Sequence, residues 1–215
     1  MIKAIIFDLG GVLMTDVPLK QIAGELSKNS PLSEQEIHAL LYPTQHWDFL
    51  TLGKITEDEY WDNFLKASKI SEKLKKGLKK KVRSSLYPLE HAPRLVKLLK
   101  NHYKLAILSN HAKEWSEYMK QKFDLFQSFD QMIFSCDVGF RKPDPRIYET
   151  ALNKLKCDPE ECILIDDKKR NTDAAEKLGI KGIIFEGSLK LLEDLSKLNV
   201  KIESREEPDA RTSGI

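Results

Sequence analysis

Apolar residues along the chain follow two rhythms. Short runs at residues 3–7, 104–109, 131–135, 162–166 and 182–185 are apolar without alternation. That is the pattern of parallel strands covered on both faces. Between them lie segments of helical period with readable ends. Asp144-Pro145 supplies an N-cap and a first-turn proline for a helix over 146–155, and a helix over 171–178 runs into Gly179. Strands alternating with helices predict an α/β fold: a Rossmann-like, doubly wound parallel sheet.

Residues 16–85 break this alternation. No strand is legible there, and two helix starts carry capping boxes, Ser33 with Glu36 and Thr56 with Glu59. The expected organisation is a core of residues 1–15 and 86–203 with an all-helical cap, 16–85, inserted after the first strand. Such an insertion sits over the C-terminal edge of the sheet, where open α/β sheets bind ligands. Within it, residues 73–83 (KLKKGLKKKVR) carry Leu74, Leu78 and Val82 every fourth position. They read as one amphipathic helix with a solvated lysine face, or as a funnel for an anionic substrate. No aromatic interleaving supports nucleic acid as a partner. Residues 204–215 have no apolar period and read as a disordered tail.

Composition narrows the class. The 215 residues are 41% hydrophobic and carry a net charge of +2, enough apolar material for a full core and no global demand for nucleic acid or a membrane. No apolar stretch reaches the roughly 20 residues that span a bilayer. Cys136, Cys157 and Cys162 form neither a CxxC pair nor a metal spacing. They fit reduced thiols, so a soluble cytoplasmic protein is expected. Oligomeric state stays open.

The chemistry lies at the strand ends. The first strand delivers Asp8, followed by Leu9, Gly10 and Gly11, whose backbone amides can crowd an anion. The second ends in Ser109-Asn110, the third is followed by Lys142 in RKPD, and the fourth ends in Asp166-Asp167 with Asn171 beyond. Each is individually an ordinary turn or cap. A parallel sheet brings them to one edge, where Asp8 and Asp167 would repel unless a divalent cation bridged them; Mg²⁺ is the default for two carboxylates and a phosphate. Lys142 and Ser109 would balance and hold the phosphoryl oxygens.

The set FDLGGV, LSN, RKPD and IDDxxxN, in this order over residues 1–200, resembles the four motifs of the haloacid dehalogenase-like hydrolase superfamily, mostly phosphatases. Residues 46–61 are similar to cap helices of its sugar-phosphatase-like branch. The resemblance implies a Rossmann-like core with a helical cap, and it makes Asp8 the nucleophile that forms an aspartyl-phosphate. Ser109 and Lys142 would hold the phosphoryl group, within a cradle completed by Leu9, Gly10, Gly11 and Asn110. Asp8, Asp167, the Gly10 carbonyl and neighbouring Asp166 would hold Mg²⁺, with Asn171 tuning that shell. The substrate expected is a small phosphorylated metabolite such as a sugar phosphate.

One element of the resemblance is missing. The family's phosphatases carry an aspartate two residues after the nucleophile as general acid and base; here that residue is Gly10. The assistance is worth roughly 10²–10⁴-fold, so its loss favours leaving groups that depart easily. Asp16 and His46 are the substitutes within reach of a cap, although Asp16 reads first as a helix N-cap and His46 as a partly buried cap residue. Trp47, Phe49, Tyr60 and Trp61 could line the cap's underside or form its core. A non-catalytic scaffold that keeps the fold, and a metal-independent 2-haloacid dehalogenase, are the competing functions.

Overall fold

A computed structural model describes residues 1–202; the expected tail, and residue 203 of the expected core, lie outside the described residues. Five strands form one parallel sheet in the order β3-β2-β1-β4-β5. They are β1 (Ala4–Phe7), β2 (Lys104–Ser109), β3 (Gln131–Phe134), β4 (Cys162–Asp166) and β5 (Lys181–Ile184). Five helices follow β1: α1 (Leu19–Ser27), α2 (Glu34–Leu41), α3 (Gln45–Thr51), α4 (Glu57–Ser68) and α5 (Lys75–Ser85). The remaining helices flank the sheet: α6 (Ala92–Lys100), α7 (Lys113–Lys122), the short α8 (Ser135–Val138), α9 (Pro145–Leu155), α10 (Lys169–Glu176) and α11 (Ser188–Lys197). This is the α/β, Rossmann-like architecture expected from the alternation of runs.

The strands lack polar alternation because both faces are covered. Ile5, Phe7, Leu105, Ile107, Ile163 and Ile165 join one apolar cluster with α6, α7 and α11, which continues into Ile37, Leu41, Tyr60 and Trp61 of the helical segment. Ala4, Ile6, Ala106, Leu108 and Leu164 face the opposite way, against Ile147, Tyr148, Ala151 and Leu155 of α9 and Ala175 of α10. Register aligns the strand ends: Phe7 lies beside Ile107 and Ile165, one residue short of Asp8, Leu108 and Asp166. Successive parallel strands thereby deliver their next residues to one edge.

Local signals act as read. Ser33 and Thr56 form reciprocal capping boxes, and Asp144 accepts the Arg146 amide at the start of α9. The basic run begins as a 3-10 turn, so Leu74 is left 44% exposed while Leu78 and Val82 are buried. Four of its seven cations are paired: Lys75 with Asp62, Lys79 with Asp58, Lys81 with Glu25 and Arg83 with Glu57, while Lys73, Lys76 and Lys80 are exposed.

Glu57 carries an unexpected load. Its fully buried carboxylate accepts from Arg83 Nη1 and Nη2 at 2.8 and 2.6 Å, from Trp115 Nε1 at 2.8 Å and from Trp61 Nε1 at 3.3 Å. Its amide donates to Glu114 Oε1 at 3.0 Å, so α4 is tied to α5 and to α7 of the sheet layer at one point. Removing a buried partner from such a network leaves a charge and two indole N–H groups unpaired. Glu57→Ala is therefore expected to lower the unfolding free energy by about 3 kcal/mol, whereas Asp62→Ala, at an exposed pair, should cost less than about 1 kcal/mol. Urea unfolding of both variants checks this; equal losses would show that Glu57 has no special weight.

Candidate active site

Asp8 extends β1 by one residue: its amide donates to the Ile165 carbonyl at 2.8 Å, so the sheet fixes its backbone. The residue is 5% exposed. The Lys142 ammonium lies 2.9 Å from Asp8 Oδ1 and 2.6 Å from Asp166 Oδ2, all three groups being buried. Burial, with Asp166 adding to it, pushes the Asp8 carboxyl up to about 6, while Lys142 and the Leu9 amide pull the other way. For Lys142 burial alone would favour the neutral amine; Asp8 and Asp166 outweigh it and hold the pKa above the ordinary lysine value.

The backbone around Lys142 is clamped. Asn110 Oδ1 accepts the Lys142 amide at 2.8 Å and Asn110 Nδ2 donates to the Lys142 carbonyl at 2.9 Å. The Asn110 side chain, expected in the phosphate cradle, is thus engaged in aiming the lysine. Ser109, 2% exposed at the end of β2, lines the same cavity.

Asp166 is saturated from within. Besides Lys142 it accepts the Lys168 amide at 2.9 Å and Asn171 Nδ2 at 2.8 and 3.0 Å. Asn171 thus orients Asp166, and it also lines the cavity, its own Oδ1 buried without a partner. Asp167 differs: its Oδ1 is buried without a hydrogen-bond partner, the nearest cation being the Lys168 ammonium at 3.9 Å. Oxygens of Asp8, Asp166 and Asp167 lie within 4.8 Å of one another. Three carboxylates against one buried ammonium, with an orphaned oxygen among them, form a donor set that fits a hard divalent cation.

The turn after Asp8 departs from expectation in two ways. The Leu9 amide donates to Asp8 Oδ1 at 2.6 Å, and the Gly11 amide to the Met14 carbonyl at 2.8 Å. Both were expected to face an anion; both are consumed by the turn, because residues 9–14 close on themselves and each N–H must find a partner. Gly11 is required there by its φ of 75°. The chain then continues to Asp16, which is not the cap of α1; Pro18 occupies that position. Instead Asp16 lines the cavity, its Oδ1 only 2.5 Å from where a Cβ on Gly10 would lie. Burial raises its pKa, with Lys168 opposing and Asp167 adding.

The cavity measures about 330 Å³. Its helical wall offers His38, Tyr42 and Trp47, and the sheet side adds His111, Trp115 and Arg141. Of the four aromatics singled out in the sequence, only Trp47 lines it; Tyr60 and Trp61 are core, and Phe49 lies under Lys54. His46 is exposed and takes no part. Tyr42, His111 and Trp115 carried no motif signal, although His111 adjoins the strand-end pair Ser109-Asn110; Arg141 is the first residue of RKPD but was given no role.

Residues 5–185 match the family model of the haloacid dehalogenase-like hydrolases. The chain belongs to this family. It is 29% identical over 157 residues to flavin mononucleotide hydrolase 1 of Arabidopsis thaliana, spanning 73% of the chain and 63% of that protein. It is also 29% identical over 192 residues to a phosphorylated carbohydrates phosphatase of Thermotoga maritima, covering 84% and 83%. The chain spans less than two thirds of the first curated relatives it matches, and only 14% of the rat bifunctional epoxide hydrolase 2. In fold it is similar to a family enzyme of Bacteroides thetaiotaomicron solved with magnesium and inorganic phosphate, at a TM-score of 0.74 and 22% identity over 89% of this chain and 99% of that one. The L-2-haloacid dehalogenase of Xanthobacter autotrophicus aligns at 0.62 and 20%, over 93% and 84%.

His111 sets a pH dependence of the fold. Its amide donates to Ser135 Oγ, its ring meets Trp115 edge-on, and its Nδ1 is buried without a partner. Burial depresses its pKa to about 4. The unfolded chain takes up this proton near pH ~6.5 and the folded one only near 4, so stability falls as pH drops through that window, by up to about 3 kcal/mol. His111→Gln should lose less stability than the parent between pH 7 and 4.5 in urea titrations. Parallel losses would contradict this assignment.

Proposed function

We propose that this protein is a Mg²⁺-dependent phosphomonoester hydrolase acting on a small phosphorylated metabolite, such as a sugar phosphate, through an aspartyl-phosphate on Asp8. The observation that carries the reading is the buried Lys142 ammonium 2.9 Å from Asp8, beside the orphaned Asp167 oxygen. An ammonium held there neutralises a phosphoryl group arriving at Asp8 without reorganising. Ser109 would donate a hydrogen bond to a phosphoryl oxygen. Asp8, Asp167 and the Gly10 carbonyl would hold Mg²⁺, with Asp166 orienting Lys142 from behind. When bound, the cation supplies positive charge to the phosphoryl oxygens.

The relatives support the class. Besides the carbohydrate phosphatase, a glyceraldehyde 3-phosphate phosphatase of Methanothermobacter thermautotrophicus is 31% identical over 98 residues. A cavity of about 330 Å³ is metabolite-sized. The segment over residues 16–85 serves as the cap, presenting Tyr42 and Trp47 to the substrate's organic part. A carboxyl cluster with an unsatisfied oxygen favours this reading over halide displacement, which needs no cation. The three free cysteines suit a reducing, cytoplasmic compartment. No helix among the described residues is long and apolar enough to cross a membrane.

Phosphate release from a panel of sugar phosphates, mononucleotides and an aryl phosphate tests the proposal. Turnover is expected with Mg²⁺, lost on chelation, and reduced at least ~10³-fold in Asp8→Asn. An Asp8→Asn variant that matches the parent would overturn it.

A further inference from the structure

We propose that Asp16 is the acid–base residue of this site, its carboxylate filling the space left by the absence of a side chain at Gly10. This inference rests on the phosphatase reading above and names a catalytic residue within it.

The geometry is reciprocal. A Cβ built on Gly10 would meet Asp16 Oδ1 at 2.5 Å, so a side chain there would displace the Asp16 carboxylate from its present position. On Gly11 it would meet Asp16 Oδ2 at 3.4 Å and Asp167 Oδ2 at 3.3 Å. The carboxylate of residue 16 thus stands where a side chain from residue 10 would begin, on the cavity wall shared with Asp8 and Asp167. Gly10 is what admits it there.

Its position is built by the fold. Residues 9–14 form a closed turn, and Met14 bridges both Gly10 and Pro88. The Thr15 amide donates to the Tyr87 carbonyl at 3.0 Å, Thr15 Oγ1 donates to the Ser85 carbonyl, and the Tyr87 amide donates to Thr15 Oγ1 at 3.1 Å. Leu89 N to Leu13 O, at 2.9 Å, and His91 Nε2 with Val12 O, at 2.9 Å, complete the anchor. Residue 16 directly follows this five-point attachment, which joins two backbone–backbone bonds to three contacts made through the Thr15 hydroxyl and the His91 ring.

The chemistry balances in two steps. As an Asp8 oxygen bonds to phosphorus and the bond to the leaving oxygen breaks, the Asp16 carboxyl gives its proton to that oxygen, releasing an alcohol. The Asp16 carboxylate then takes a proton from water, whose oxygen bonds to phosphorus as the Asp8 oxygen–phosphorus bond breaks. Inorganic phosphate leaves, and both aspartates return to their starting states.

The test compares an alkyl phosphate with a nitrophenyl phosphate, whose leaving group needs little protonation, in the full chain with Mg²⁺. Asp16→Asn, which keeps the shape of the side chain, should lose about 10²–10⁴-fold in kcat/KM on the alkyl ester and far less on the aryl ester. It should also show a stoichiometric nitrophenol burst, because water attack on the phosphoenzyme still lacks its base. Moving the acid provides the second arm: Asp16→Gly with Gly10→Asp should recover at least ~10-fold over Asp16→Gly alone on the alkyl ester. Equal losses on both esters without a burst would mark Asp16 as merely structural and overturn the inference, as would an Asp16→Asn variant equal to an active parent. A parent inactive on both esters would overturn the phosphatase reading, and this inference with it.

Discussion

The Lys142 ammonium between Asp8 and Asp166 is the contact around which the site is organised. Taking three charged groups out of water costs several kcal/mol each, so such a triad persists only where geometry and further hydrogen bonds offset that cost. Here the offsets come from different parts of the chain. The sheet fixes Asp8 through the Ile165 carbonyl, Asn110 clamps the Lys142 backbone, and the Lys168 amide with Asn171 saturates Asp166. Ile165 and Asn110 sit at or next to a strand end, and Lys168 and Asn171 at the start of the helix that follows β4, so the sheet edge and the loops leaving it supply every helper.

The helical segment is joined to this framework by polar contacts, two of them buried, as well as by apolar packing. Glu57 ties α4 to Trp115 and Arg83, Ser135 Oγ donates to the Thr51 carbonyl at the end of α3, and Arg141 pairs with Asp48. The last two connect α3 to Ser135, which accepts the His111 amide, and to Arg141, which adjoins Lys142. Residues proposed to contact the substrate's organic part are thereby tied to those proposed to contact its phosphate.

The strands, the parallel order and the convergence of Asp8, Ser109, Lys142 and Asp166-Asp167 were legible because they follow from local period and from a rule of sheet geometry. Asp16 was misread as a helix cap because its placement depends on the pairing of Met14 and Thr15 with Pro88 and Tyr87, far along the chain and without periodic signal. Glu57 was hidden for a similar reason: in sequence it is one acid in the first turn of a capped helix, and only packing buries it against two tryptophans. The Leu9 and Gly11 amides show the opposite error. A glycine pair after a strand suggests open donors, yet a turn closed by Met14 consumes one and Asp8 the other.

Every proposed step runs through Asp8 as the phosphoryl acceptor, and the most direct measurement is acid quench during turnover followed by peptide mass spectrometry. The Asp16→Asn variant, mixed with an aryl phosphate and Mg²⁺, should accumulate a phosphoryl group on the peptide carrying Asp8, and a further Asp8→Asn substitution should abolish it. Phosphate release with the label on another residue, or with none on Asp8 while a burst is observed, would contradict the central claim.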